Sequence, residues 1–433
     1  MSVVLIITIS ITAALILLMV GCPVFVCLGI SGGLGIFLNG GIAGLSLLQT
    51  TVFGSVSKFT LVAAPLFILM GDIIFRSGIG ADLYNAFSRV LRRLPGGLAI
   101  ATVLASAVFG AMCGVSIAAV ASIGVIALPE MLRRGYSPKL AAGSVCAPGA
   151  LAMLIPPSLP FILYGEVAGV SVAELFTAGI LPGLLLMLLM CGYIAVHEIM
   201  FKTSVLTHDD PLTLKEITGF IKRLWSPLLL IFMVLGSVYF GIATPTESAA
   251  IGVMGAYAIA VFIYRKLSFK DFILTLTTSA RVTGIILVIF VGAVIFTQFL
   301  NLLRVPDMFA EFIVSINVSP LMKLILIQLM LFLLGMFVDG GSMILITTPI
   351  LLPTVYAMNW DPIWFGVLMV ANINIAVITP PVGLNLYTLA GISKDVDMET
   401  ILKGTMPYVI VEIIGLILLM AFPQISLWLP GLM

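Results

Sequence analysis

Two stretches decide how this sequence folds: Gly335-Met-Phe-Val-Asp-Gly-Gly-Ser342 and Asn372-Ile-Asn-Ile-Ala-Val-Ile-Thr-Pro-Pro-Val-Gly383. Each interrupts a strongly apolar segment with Gly, paired Pro, Asn, Thr or Asp, which stop helices and offer backbone to a ligand. An unpaired backbone group in hydrocarbon costs several kcal/mol. Non-helical backbone at that depth therefore survives only inside protein or beside a water-filled cavity. The two breaks read as a binding site at mid-membrane depth.

The rest of the composition demands a membrane. The chain of 433 residues is 61% hydrophobic and 9% charged, with a mean hydropathy of +1.26, which specifies an all-α polytopic membrane protein. A net charge of +1 gives no reason to expect nucleic acid. His197 and His208 lie near a helix end and in a loop, so no transition-metal site is expected. Cys22, Cys27, Cys113, Cys146 and Cys191 lack paired spacing and read as small core residues. No Walker-type phosphate loop appears, so ATP is not expected as the energy source. Val20-Gly21-Cys22 has the outline of a lipoprotein cleavage site, but the first charged residue is Lys58 and a signal needs a basic leader. Residues 3–20 are therefore expected to be a retained span.

Unbroken apolar runs fall at 3–20, 22–38, 59–75, 172–200, 225–241, 245–264, 282–300 and 403–422. Four further stretches carry internal breaks. Residues 97–132 and 321–357 are predicted to be re-entrant hairpins, with arms of about 15 residues, roughly 22 Å, too short to span. Residues 138–169 and 361–391 are predicted to cross as helices broken at Ile155-Pro-Pro-Ser158 and Thr379-Pro-Pro381. This topology puts 17 of the 20 Lys and Arg on one side, leaving Lys58, Arg304 and Lys323 opposite. The positive-inside rule makes the majority side cytoplasmic. Ten crossings then leave both termini outside.

The sequence also repeats itself. Pro129, Pro138, Pro156 and Pro157 recur 224 residues later as Pro353, Pro362, Pro380 and Pro381, and Ala168-Gly-Val-Ser171 echoes Ala390-Gly-Ile-Ser393. Five crossings per copy make the second copy inverted relative to the first. The copies are placed at residues 1–200 and 223–433, joined by a polar cytoplasmic linker at 201–222. Arg76–Leu94 and Arg304–Ser315 read as helices lying along the interface, with Asp72 and Arg76 a local ion pair and Glu247 a helix cap. Inverted repeats whose broken helices meet at the midplane point to a secondary transporter.

Chemically, a half-helix ending in the membrane offers carbonyls that favour a cation such as Na⁺. The next half-helix offers N–H groups that favour a carboxylate. Cys113-Gly114-Val115-Ser116 is expected to meet Ile155-Pro156-Pro157-Ser158 near Gly149, and Asp339-Gly340-Gly341-Ser342 to meet Thr379-Pro380-Pro381 near Asn372 and Asn374. That geometry makes two pseudo-equivalent cation sites flanking a substrate. Asp339 is the sharpest single candidate, because an intramembrane carboxylate is costly and functional by default. Glu412 stands mid-span in the last helix, with either a structural or a functional role open to it.

At these residues the chain resembles the DctM- and SiaM-type large membrane subunit of tripartite ATP-independent periplasmic (TRAP) transporters, within the ion transporter superfamily. The carriers are Ala243-Thr-Pro-Thr-Glu-Ser-Ala-Ala250, Ile155-Pro-Pro-Ser158, Leu181-Pro-Gly183, Ile378-Thr-Pro-Pro-Val-Gly-Leu-Asn-Leu386 and the Gly335-x-x-x-Asp339 spacing. The resemblance implies a bacterial inner-membrane permease, both termini periplasmic, taking up an organic acid by Na⁺ symport through an elevator movement. It implies two partners: a small four-span membrane subunit and a periplasmic substrate-binding protein. It places substrate at Ser116, Ser158, Asp339 and Asn385. It places Na⁺ around Cys113, Gly114, Ser116, Gly149, Pro156, Gly335, Gly340, Ser342, Asn372, Thr379 and Pro380. Cys113 departs from the family in standing where a serine is expected, and a thiol is a poorer hydrogen-bond partner than a hydroxyl. Dicarboxylates, keto acids, sugar acids and sialic acids all remain open as substrates. A stand-alone Na⁺- or H⁺-coupled anion symporter of the same architecture is the alternative reading. An intramembrane enzyme is the remote one, since Asp339 has no intramembrane Asp partner and neither histidine lies near a break.

Overall fold

The computed structural model describes residues 2–201, 214–393 and 395–433, and among these the regular structure is entirely helical. Among the described residues eight helices are long and apolar enough to cross a membrane. The first copy runs α1 (Val3–Met19), α2 (Val24–Val56), α3 (Ala63–Ser77), α4 (Ile79–Leu91), α5 (Gly97–Cys113), α6 (Ser116–Arg133), α7 (Pro138–Ala150), α8 (Leu159–Ala168) and α9 (Val172–Phe201). In the second, α10 (Leu214–Ile231) continues through a π turn at Phe232–Gly236 into α11 (Ser237–Tyr239). Then follow α12 (Pro245–Ala258), α13 (Phe269–Leu302), α14 (Val305–Ser315), α15 (Pro320–Gly335), α16 (Gly340–Ala357), α17 (Pro362–Val377), α18 (Leu384–Ile392), α19 (Met398–Ala421) and the short α20 (Gln424–Leu427).

Why these boundaries? Pro at N1 starts α7, α12, α15 and α17, where its missing N–H costs nothing. Thr244 and Glu247 close a capping box on α12: the Thr244 N–H donates to Glu247 Oε2 at 2.8 Å and the Glu247 N–H returns to Thr244 Oγ1 at 3.3 Å. Glu247 is a cap, as the sequence predicts.

Several expectations need correcting. The hairpin arms are longer than 15 residues, because each helix runs right up to its break. α6 and α16 have 18 residues each, about 27 Å at 1.5 Å per residue, so length alone does not bar them from spanning. Each pair folds back on itself, α5 packing on α6 and α15 on α16. α2 continues past residue 38 to Val56, bent at Gly41, where φ is +59°. Its counterpart α13 is an unbroken helix of 34 residues beginning well before residue 282. Of the expected linker, residues 202–213, His208 among them, lie outside the described residues, while 214–222 open α10. Lys394 also lies outside them. The Asp72 carboxylate accepts from the Ser279 hydroxyl at 3.3 Å, with the Arg76 charge acting on it from four residues along the chain.

The core is built from the interrupted elements. Every residue of α17 from Ile363 to Val377 is buried, and so is every residue of α7 from Leu140 to Ala150. Small residues allow this: Gly143 of α7 and Gly404 of α19 bring their backbones together so closely that neither position has room for a Cβ. The copies interlock, α18 packing on α6 and α7, and α16 on α8. Around them α2 pairs with α13 and α3 with α12, leaving large apolar side chains such as Ile285 and Val288 exposed outward, as helices facing lipid require.

Candidate functional site

The first hairpin reaches the Pro-Pro break of its own copy. Gly114 ends α5 at φ +65°, its N–H closing back on the Gly110 carbonyl at 2.8 Å. A Cβ there would stand 2.6 Å from the Pro157 carbonyl oxygen and 3.4 Å from the Ser158 Cα. Only glycine satisfies both the left-handed backbone and that approach. Gly149 of α7 backs the start of α6, where a Cβ would sit 3.5 Å from the Ser116 carbonyl oxygen. In the second copy the Val382 N–H donates to the Met336 carbonyl at 3.2 Å, tying the Pro-Pro break to the end of α15. Gly335 packs toward Ala376 and Gly340 toward Ile373, both on α17. The Pro156–Pro157 and Pro380–Pro381 bonds are both cis.

One cavity of about 220 Å³ joins the two copies, and all four half-helices that follow a break begin on it. Ser116 opens α6, Leu159 opens α8, Gly340 opens α16 and Leu384 opens α18. In α6 the first intrahelical bond runs from the Ala119 N–H to the Val115 carbonyl, so Ser116, Ile117 and Ala118 keep orphan N–H groups. In α16 it runs from Met343 to Asp339, leaving Gly340 and Gly341. Four positive dipole ends thus converge. No Lys or Arg lines the cavity among the described residues; Ile286 and Ile289 of α13 close its outer wall.

Asp339 is the charged group on this cavity and the N-cap of α16. It is exposed to the cavity rather than buried in apolar surroundings, which spares it the desolvation cost a membrane-depth carboxylate otherwise incurs. Buried Ser342 holds both its oxygens.

Other predicted residues are committed elsewhere. Cys113 does not line the cavity: its thiol donates to the Val115 carbonyl at 3.5 Å, and its Cβ faces Gly71 of α3. Ser158 caps α8, donating to the Met153 carbonyl and accepting from the Phe161 N–H at 3.4 Å, and it too stands off the cavity wall. Asn385 is buried and donates to the Cys146 carbonyl at 3.2 Å, fastening α18 to α7. Asn372 donates to the Gln328 carbonyl at 2.7 Å and side-chain oxygen at 2.9 Å, fastening α17 to α15. The Thr379 hydroxyl donates to the Ile375 carbonyl at 2.6 Å. Among the described residues, buried Asn374 and Glu412 have no hydrogen-bond partner for their side-chain oxygens or the Asn374 nitrogen. Val115 and Gly341, named in the sequence only as members of the two tips, are cavity wall, and sequence reasoning missed Met153 and α13's isoleucines.

The sequence model of the tripartite ATP-independent periplasmic transporter DctM component matches residues 11–425. The C4-dicarboxylate TRAP transporter large permease protein DctM of Vibrio cholerae is 33% identical over 439 residues, covering 96% of each chain. The ectoine TRAP transporter large permease protein TeaC of Halomonas elongata is 30% identical, covering 98% of this chain and 99% of its own. The crystal structure of the Alcanivorax borkumensis YdaH transporter superposes with a TM-score of 0.65 at 16% identity, covering 88% of this chain and 89% of that one. That likeness concerns the fold.

Proposed function

This chain belongs to the DctM family of tripartite ATP-independent periplasmic transporters, and from that premise we propose that it carries a small organic anion inward together with Na⁺. It is a multi-pass permease and not an enzyme. The observation that carries the reading is the convergence of four half-helix N-termini on one cavity that no Lys or Arg among the described residues lines. Orphan N–H groups bind acidic oxygens of carboxylate or sulfonate without side-chain code. Relatives named for C4-dicarboxylate and ectoine share this frame, so the substrate class is a small solute bearing at least one acidic group.

Asp339 supports the coupling. An anion beside an unneutralised carboxylate is repelled, and a cation held between them reverses the sign. We assign the Na⁺ ions to the two tip–break junctions, Gly114 with Pro156 and Pro157, and Gly340 with Thr379. Ser116, Gly340 and Gly341 face the anion. Two Na⁺ per monoanion move one net charge inward, gaining about 2.3 kcal/mol per 100 mV, roughly fifty-fold accumulation. The interlocked hairpins and broken helices slide as one body against α2, α3, α12 and α13. In the family's tripartite form, a small membrane subunit widens that scaffold and a periplasmic binding protein delivers the anion to the bacterial inner membrane.

The test is uptake into liposomes holding the chain with both partners, with and without an inward Na⁺ gradient. Accumulation that needs the gradient and falls in Ser116→Ala and Asp339→Asn supports the assignment. Equal uptake without Na⁺, or full activity in both variants, overturns it.

A further inference from the structure

A second polar cavity, of about 480 Å³, lies far from the first in character and is untouched by the transport reading. It opens between α4 and the last turns of α6, on the side that the arginine distribution makes cytoplasmic. Three guanidiniums line it, from Arg89, Arg133 and Arg134, against the single carboxylate of Glu130. Glu130 is shared: Arg133 bonds one oxygen and the Arg134 Nε–H donates to the other at 2.7 Å. A guanidinium has five N–H donors, so both arginines retain donors for a further acceptor. Arg89, exposed on α4, has no acidic partner among the described residues. At the inner end lies Tyr84, buried, with a hydroxyl that finds no partner among the described residues. Burial pushes that hydroxyl above the usual tyrosine range while Arg134 and Arg133 draw it partly back, so it remains a neutral donor within their field.

We propose that this cleft binds a phosphate group, and that the phosphate is the headgroup of an acidic phospholipid of the cytoplasmic leaflet. The donors fit an oxyanion: the planar guanidiniums of Arg89, Arg133 and Arg134, and the Tyr84 hydroxyl. The position fits a lipid, because α4, with 13 residues, is too short to span and carries its polar residues along one face, as helices lying at a bilayer surface do. Since α4 precedes the α5–α6 pair and α6 closes it, a bound headgroup bridges the two helices.

The purified full-length chain in detergent is titrated with phosphatidylglycerol, with phosphatidylcholine, and with soluble glycerol 3-phosphate, following thermal unfolding and lipid retention in native mass spectrometry. Phosphatidylglycerol is expected to bind and raise the unfolding temperature. Each of Arg89→Gln and Arg133→Gln should weaken binding about fivefold, equivalent to ~1 kcal/mol per basic residue at an anionic surface. Tyr84→Phe tests the buried hydroxyl without removing charge, and Lys270→Gln is the control for charge loss elsewhere. Equal stabilisation by glycerol 3-phosphate supports the same anion site with a soluble source. Equal response to phosphatidylcholine, or undiminished binding in the double variant Arg89→Gln/Arg133→Gln, overturns the proposal.

Discussion

Ser342 holds both oxygens of the Asp339 carboxylate, its backbone N–H donating to Oδ2 at 3.0 Å and its hydroxyl to Oδ1 at 2.6 Å. The carboxylate therefore caps α16 and presents negative charge to the cavity at once. The two roles separate by substitution. Asparagine caps a helix about as well as aspartate, whereas alanine costs about 1 kcal/mol. Asp339→Asn should leave thermal stability nearly unchanged and lower Na⁺-dependent uptake at least about tenfold, the loss of one charge–cation contact. Asp339→Ala should lower both. Normal uptake by the asparagine variant would reduce Asp339 to a cap.

Gly114 and Gly169 share a left-handed backbone, φ +65° and +69°, but differ in surroundings. A Cβ at Gly169 meets nothing within 4 Å, while one at Gly114 presses on the Pro157 carbonyl. Gly169→Ala should cost only the backbone strain, about 1 kcal/mol. Gly114→Ala should cost at least about 2 kcal/mol, because overpacking adds to that strain, and it should abolish uptake by parting tip from break. Chemical denaturation of the two variants side by side measures the difference.

The breaks and the repeat were legible because they rest on residues with few alternative uses. Proline cannot continue a helix, and Pro156 and Pro380 mark equivalent breaks in the two copies. What stayed hidden is which way side chains turn once the copies interlock. Asn385 binds the Cys146 carbonyl from 239 positions away, a contact that depends on how one copy docks on the other. Cys113 faces Gly71 of α3 within the first copy, a contact set by how α5 packs on α3, which residue spacing does not encode either. Arm length was misjudged for a local reason: only Gly114 and Val115 separate α5 from α6.

Ser116 and Ser158 read alike in the sequence and are expected to behave differently. Ser116 is the first residue of α6 and lines the cavity; the Ser158 hydroxyl is spent on the Met153 carbonyl and the Phe161 N–H. Ser116→Ala should raise the KM for substrate several-fold with little change in stability. Ser158→Ala should cost about 1 kcal/mol of stability, the loss of an N-cap, with a smaller effect on KM. Initial uptake rates across substrate concentration, beside thermal unfolding, check both; a larger KM effect at Ser158 would return that residue to the substrate.

Lys58 and Glu166 join the entry to α3 with the last turn of α8, Nζ to Oε1 at 2.5 Å, while the Thr60 hydroxyl donates to the other oxygen. The pair is lopsided: the Lys58 side chain is 53% exposed and that of Glu166 only 5%. An exposed ammonium loses little when its partner goes, because water replaces it. A buried carboxylate stripped of its cation keeps its desolvation cost unrelieved. Lys58→Met should therefore destabilise by about 1–3 kcal/mol, and Glu166→Gln by less. The double variant Lys58→Met/Glu166→Gln should recover part of the loss seen with Lys58→Met alone, because no stranded charge remains. A double-mutant cycle on unfolding free energies reads the coupling directly. Additive losses would mean that the two groups do not feel each other, and that α8 is held against the α3 entry by packing alone.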